Sequence, residues 1–324
     1  MHVEHAERAS LARAPSRFER VGDRVFRHLT RGFAWLAVVL MALIVYEIGG
    51  AALPAVQQHG WRFVTSRTWD VNKGQYGVLP EIWGTLYSSC IALVVGGLFG
   101  VAVAVFLTQY FLPPAIEVIL KNIIELLAAI PSVVYGMWGL FVVIPVMRPP
   151  AAWLHSHLGW FPLFGTPFNG PGLLPAALVL SIMILPTITA VSRDALGAVP
   201  RRLKEASFGL GATRWETILG VIVPTASTGI FGALVLGFGR ALGETMALAM
   251  LIGNSNQISL SIFAPANTLA SLLANSFPEA GEQETPVLMY AALVLMLITL
   301  TVNVLGTVVL NRTSSRAMRG SVKA

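Results

Sequence analysis

Arg240 and Glu244 stand four residues apart inside an apolar run, residues 228–252, of a 324-residue chain. A charge at the centre of a bilayer costs at least ~2.5–3.5 kcal/mol on insertion scales, so such residues face a bundle interior or an aqueous path. Their spacing predicts one helical turn and a shared face. The arginine fork matches the oxygens of a phosphate group. A carboxylate beside it accepts a hydrogen bond only from an anion that still carries a proton. Phosphate near neutral pH carries one and sulfate does not. The pair therefore reads as a substrate path, Arg240 attracting the anion and Glu244 selecting its protonated form. A mutual ion pair that locks helices together is the competing reading, and the sequence leaves both open.

Gly239 and Gly243 form a G-x-x-x-G spacing around this pair, and Gly96 and Gly100 form another, which predicts helix packing at both places. Glu47 and Glu125 lie near the ends of apolar runs and are expected to reach the interface. His155 and His157 alternate in an expected external loop, a spacing that does not suggest a metal site. Cys90 is the single cysteine, so no disulfide and no cysteine-based metal centre can form within one chain. Trp61, Trp69, Trp83, Trp153 and Trp160 fall near the ends of apolar runs, where aromatic belts are expected.

The elements that must hold these residues are apolar helices. The chain is 55% hydrophobic and 12% charged, about half the charge usual in soluble domains. Apolar runs occupy about 33–53, 84–107, 119–147, 173–191, 228–252 and 287–310, each near or above the length that spans a bilayer. Lipid offers no partner to backbone groups, which makes each run a helix. Pro131 and Pro145 bend the third run or divide it, and Pro175 and Pro186 predict a kink in the fourth. The fold class is all-α, a polytopic membrane protein of about six transmembrane helices.

Lys and Arg fall unevenly about these spans. One side holds Arg8, Arg13, Arg17, Arg20, Arg24, Arg27 and Arg31 of the leader, and Lys121. It also holds Arg193, Arg201, Arg202, Lys204 and Arg214 of one loop, with Arg312, Arg316, Arg319 and Lys323 of the tail. The other side holds Arg62, Arg67, Lys73 and Arg148. The imbalance places both termini in the cytoplasm. The leader reads as a contact for anionic headgroups. The last external loop, about 253–286, lacks Lys and Arg and carries Glu279, Glu282 and Glu284. The expected organisation is a cytoplasmic leader at 1–31, a six-helix transmembrane domain at 32–311 with a cytoplasmic loop at 193–224, and a tail at 312–324.

Within that loop, residues 205–224 predict a short helix, a turn at Gly211, and a second amphipathic helix stopped before Pro224. Trp215, Ile218, Leu219 and Ile222 give the second helix an apolar face suited to a groove on a partner. No G-x-x-x-x-G-K-[ST] segment is present, so no nucleotide site of that kind is expected here.

The pattern Glu205, Ala206, Gly211 and Pro224 resembles the EAA loop of the permease subunits of bacterial ABC importers. Ser207, Val221 and Val223 depart mildly from it. The resemblance implies a MetI-like, type I importer bundle and a loop that seats on an ATPase through Glu205, Ala206, Gly211, Trp215 and Pro224. Residues 130–141, the stretch around Trp69-Asp70 and Tyr76–Pro80, and residues 237–247 are similar to permeases of the phosphate importers. That similarity implies a plasma-membrane assembly with a second permease subunit, two copies of an ATPase subunit and an external phosphate-binding protein. ATP and Mg would belong to the ATPase, and no cofactor is expected on this chain. Two alternatives stand beside it: a permease for another oxyanion, sulfate or molybdate, and a secondary transporter working without an ATPase.

Overall fold

The structure is a computed structural model that describes residues 16–71, 73–109 and 111–321. Arg8, Arg13 and Lys323 lie outside the described residues. The described residues are helical apart from turns, loops and one isolated bridge between Asp70 and Gln75. Among the described residues, six helices are long and apolar enough to cross a membrane: Arg20–His59, Leu79–Thr108, Ser132–Leu158, Leu173–Gly197, Arg214–Leu242 and Thr285–Asn311. The chain divides into two units, Met1–Gly50 and Ala51–Ala324. The first unit holds most of helix α1 (Arg17–His59), whose Phe33, Trp35, Leu40 and Ile44 are exposed, as suits a lipid solvent.

In the second unit, the short α2 (Arg62–Thr65) leads to α3 (Leu79–Thr108). Next come α4 (Pro114–Ala129) and α5 (Ser132–Trp138), then a π turn at Gly139–Val143 and α6 (Ile144–Leu158). Helix α7 (Leu173–Gly197) is followed by α8 (Arg201–Gly209) and α9 (Arg214–Thr217). A second π turn at Ile218–Ile222 runs into α10 (Val223–Leu242). Helices α11 (Met246–Leu251), α12 (Leu269–Ser276) and α13 (Thr285–Ser321) complete the chain.

The third apolar run is two elements. Pro131 takes extended backbone and ends α4, so α4 is a separate helix with no buried residue and the span begins at Ser132. Pro224 does not stop its helix as expected, nor does Pro145. Each follows a π turn by two residues. A proline clashes with the carbonyl four residues back, and here those carbonyls, of Gly220 and Phe141, belong to the widened turns. The Pro186-containing fourth span is one continuous helix, α7.

Helices α3 and α7 form the packed spine, and small residues set their distance. A Cβ at Gly96 would fall 2.7 Å from the Ser181 carbonyl oxygen, and one at Gly100 would fall 3.0 Å from Ile188. Thr189 donates its hydroxyl to the Gly100 carbonyl at 3.1 Å. A Cβ at Gly239 would fall 2.8 Å from Asn303 Oδ1 of α13. Gly243 does not extend that pattern, because α10 ends at Leu242 and Gly243 is an exposed cap. A Cβ there would touch only carbonyls of its own turn, at 3.9 and 4.0 Å.

The second half of the connection that follows α11, residues 261–268, is part of the packed interior rather than a surface loop. Its backbone is bonded to α7 through Leu173 N to Ala264 O and Leu174 N to Ile262 O. Trp83 and Tyr87 of α3 donate to the carbonyls of Ser259 and Leu260. Irregular backbone survives in a membrane protein where protein groups satisfy it in this way.

Candidate functional site

Arg240 lies in the last turn of α10, exposed, with Nη1 donating to Thr187 Oγ1 of α7 at 3.0 Å. Tyr135 of α5 is within electrostatic reach of it. The guanidinium carries five donors, and among the described residues Thr187 is its hydrogen-bond partner. It has no carboxylate within 4.0 Å there. A charged fork with most donors open is competent to hold an oxyanion.

Glu244 occupies a different element from the one expected. The helix ends at Leu242, residues 243–245 are non-helical, and Glu244 precedes α11. Its Oε1 accepts from the Ala247 backbone N–H at 3.4 Å. Arg240 and Glu244 are thus near in sequence without a common helical face, and they form no ion pair. The mutual lock is replaced by two side chains tied to separate helices.

A further carboxylate, at the other end of α3 from the coupling loop, carries no signal of its own in the sequence pattern. Glu81, in the first turn of α3, is 0% exposed, with the Asn267 side chain beside its carboxyl group, but neither oxygen makes a hydrogen bond of good geometry among the described residues. Gly84, three residues on, packs directly against the carbonyl oxygen of Asn267. Asn267 in turn accepts from Thr268 N at 3.0 Å and Ser271 Oγ at 2.7 Å. In the sequence it is a lone Glu between Leu79-Pro80 and Ile82-Trp83.

The coupling loop is built from two helices and a glycine turn. Gly211 has φ +85°, a left-handed conformation that costs other residues and suits glycine. Thr213 and Glu216 form a capping box, which the sequence reading missed in its T-x-x-E spacing. Glu216 accepts from Thr213 N and Oγ1, both at 2.7 Å. Ser207, where the EAA pattern has alanine, joins the two helices through a 2.9 Å bond to the buried hydroxyl of Thr217.

The apolar residues of the second helix split into two stripes. Ile218 and Ile222 are buried against Ala104, Val105 and Leu196 at the ends of α3 and α7. Trp215 and Leu219 are exposed, and Trp215 sits against Phe111 with ring centroids 5.0 Å apart. The face available to a partner is therefore half the expected one. Glu205, Ala206, Gly211 and Pro224 are exposed as well, with Phe208 and Leu210 beside them.

Glu47 and Glu125 are exposed, the latter with Lys121 at 3.9 Å. His155 Nδ1 bonds to the Phe164 carbonyl at 2.7 Å and His157 Nδ1 to that of Trp153 at 2.9 Å.

Comparison with known proteins gives one answer. Residues 96–316 match the family described as binding-protein-dependent transport system inner membrane component. The phosphate transport system permease protein PstC of Mesorhizobium japonicum is 38% identical, with 91% of each chain covered. The protein of the same name from Haemophilus influenzae is 41% identical over 90% of this chain and 93% of its own. Among solved structures, a bacterial ABC transporter involved in alginate import matches 89% of this chain and 99% of its own, with TM-score 0.58 and 16% identity. The MetNI methionine ABC transporter matches 73% and 95%, with TM-score 0.54 and 18% identity. At those identities the two structures speak for the fold, which is the MetI-like permease bundle expected. The chain is a multi-pass membrane protein that belongs to the family of binding-protein-dependent transport system inner membrane components.

Proposed function

We propose that this chain is the permease subunit of an ATP-driven importer of inorganic phosphate. Its relatives carry the name of phosphate permeases, and the carrying observation in the chain is Arg240. The guanidinium stands at an exposed helix end with one donor on Thr187 and no carboxylate against it. It attracts the anion, and Glu244 on the following element selects for a proton-bearing oxyanion. One such chain supplies half a pathway, so a second permease of the PstA type forms the other wall.

The coupling loop, with Glu205, Ala206, Gly211, Trp215 and Pro224 exposed, seats on one of two PstB-like ATPase subunits. Those subunits hold ATP and Mg. A PstS-like phosphate-binding protein delivers the anion from outside. The distribution of Lys and Arg supports a bacterial inner-membrane chain with both termini in the cytoplasm. In the importer cycle, movement at the loop shifts the population between outward-open and inward-open bundles.

Radiolabelled phosphate uptake, with sulfate and arsenate as competitors, tests the proposal. Intact chain should support uptake that arsenate inhibits and sulfate does not, and Arg240→Gln should abolish it. Uptake unaffected by Arg240→Gln, or inhibited equally by sulfate, overturns the reading.

A further inference from the structure

A cavity of about 340 Å³ opens beneath the coupling loop, lined in part by Arg201, Lys204, Glu205, Arg214, Gln109 and Thr217. Three cations face one carboxylate there. None of the three has an ion-pair partner within 4.0 Å among the described residues. Glu216, next but one to Arg214, is already engaged by Thr213. The Arg214 guanidinium lies over the Phe111 ring, 5.1 Å from its centroid, which fixes its position without neutralising it. Burial, and after it the Arg201 guanidinium, hold the Lys204 ammonium below its ordinary value. Three like charges are thus gathered around a single carboxylate, with no ion pair formed among the described residues.

We infer that this cavity binds a phosphate-class dianion, either free inorganic phosphate or the phosphomonoester headgroup of a lipid. The lining leaves a surplus of two positive charges, and a phosphomonoester near pH 7 carries about −1.5 to −2. Arg201 and Arg214 offer planar forks to its oxygens, and Lys204 offers a compact charge between them in sequence. The cavity volume lies within the range of small-ligand sites, roughly 300–1,000 Å³. Its lining shares no residue with the proposed path at Arg240 and Glu244, so the site is separate from the transported anion. Lying at the coupling loop, it places an anion where the loop's two helices meet.

Lys204 reports on this site directly. The full chain is placed in phosphatidylcholine nanodiscs, its lysines are acylated, and rates are read peptide by peptide. With inorganic phosphate at about twice its Kd, Lys204 acylation should slow about threefold. Lys73 and Lys121 should not change, and sodium chloride at matched ionic strength should have no effect. Arg201→Gln and Arg214→Gln, both at exposed positions, should each remove the protection, whereas Arg240→Gln should keep it. Protection by phosphatidate-containing nanodiscs but not by free phosphate identifies the ligand as the headgroup. The inference fails if neither probe slows Lys204, or if Lys73 and Lys121 slow equally. It also fails if protection survives loss of both arginines, or disappears with Arg240→Gln.

Discussion

Arg240 and Glu244 are held by different partners on either side of a helix end: Thr187 Oγ1 at 3.0 Å for one, the Ala247 backbone N–H at 3.4 Å for the other. Residues in direct contact show coupling energies of roughly 0.5–3 kcal/mol, while independent sites add within about 0.3–0.5 kcal/mol. A stability double-mutant cycle of Arg240→Gln and Glu244→Gln should therefore close to within ~0.5 kcal/mol. Transport should separate the two residues: Arg240→Gln loses uptake, and Glu244→Gln loses discrimination against sulfate. A large stability coupling, with transport unaffected by Glu244→Gln, would return the pair to a structural lock.

Gly84 and Gly243 make opposite predictions from the same substitution. At Gly84 a methyl group meets the Asn267 backbone, which cannot swing aside as a side chain would. Overpacking of this kind costs typically 1–3 kcal/mol, so Gly84→Ala should lower the unfolding midpoint clearly. At Gly243 the backbone has negative φ and a methyl group finds no close neighbour. Gly243→Ala should leave stability within ~0.5 kcal/mol, as for surface substitutions. Thermal unfolding in one detergent reads both.

The contrast also shows where the sequence was legible. Six spans were readable because each carries an apolar stretch of helical rather than strand length, and a helix satisfies its own backbone in lipid. The break before Glu244 was not, because Gly239 and Gly243 fit a helical spacing as well as they fit a helix and its cap. Pro131 divides its apolar run, one of the two outcomes its letter allows, whereas a π turn lets the helix continue through Pro224. Ile218 and Trp215 looked equivalent on a helical wheel, and the ends of α3 and α7 decide which is buried. Glu81, Glu47 and Glu125 are alike as letters in or beside apolar runs. Only the fold shows that the first is sealed and the other two exposed.

Glu81 carries a consequence for stability. Burying a carboxyl group costs several kcal/mol when it is ionised and unpaired, and the Glu81 oxygens, with the Asn267 side chain beside them, make no hydrogen bond of good geometry among the described residues. Glu81→Gln keeps the shape and removes that charge, so the variant should unfold no earlier than the parent chain. A lowered midpoint would mean that the carboxylate has a partner in the assembled protein.

Ser207 and Thr217 test how the coupling loop keeps its shape. Their hydroxyls are 2.9 Å apart and Thr217 is 0% exposed, so Ser207→Ala leaves a buried hydroxyl without its partner. Such orphaning costs about 1–3 kcal/mol, whereas replacing both partners by apolar groups of the same shape is nearly neutral. Ser207→Ala alone should therefore loosen the contact between α8 and α9, read as faster hydrogen exchange across residues 201–217 and weaker co-purification of an ATPase subunit. Ser207→Ala combined with Thr217→Val should restore both. Gly211→Ala supplies the comparison, because a left-handed turn with φ +85° costs a side chain about 1–2 kcal/mol and no second substitution in that pair relieves it. If the double variant is as weak as the single one, the hydroxyl pair is not what holds the loop, and the glycine turn alone sets its geometry.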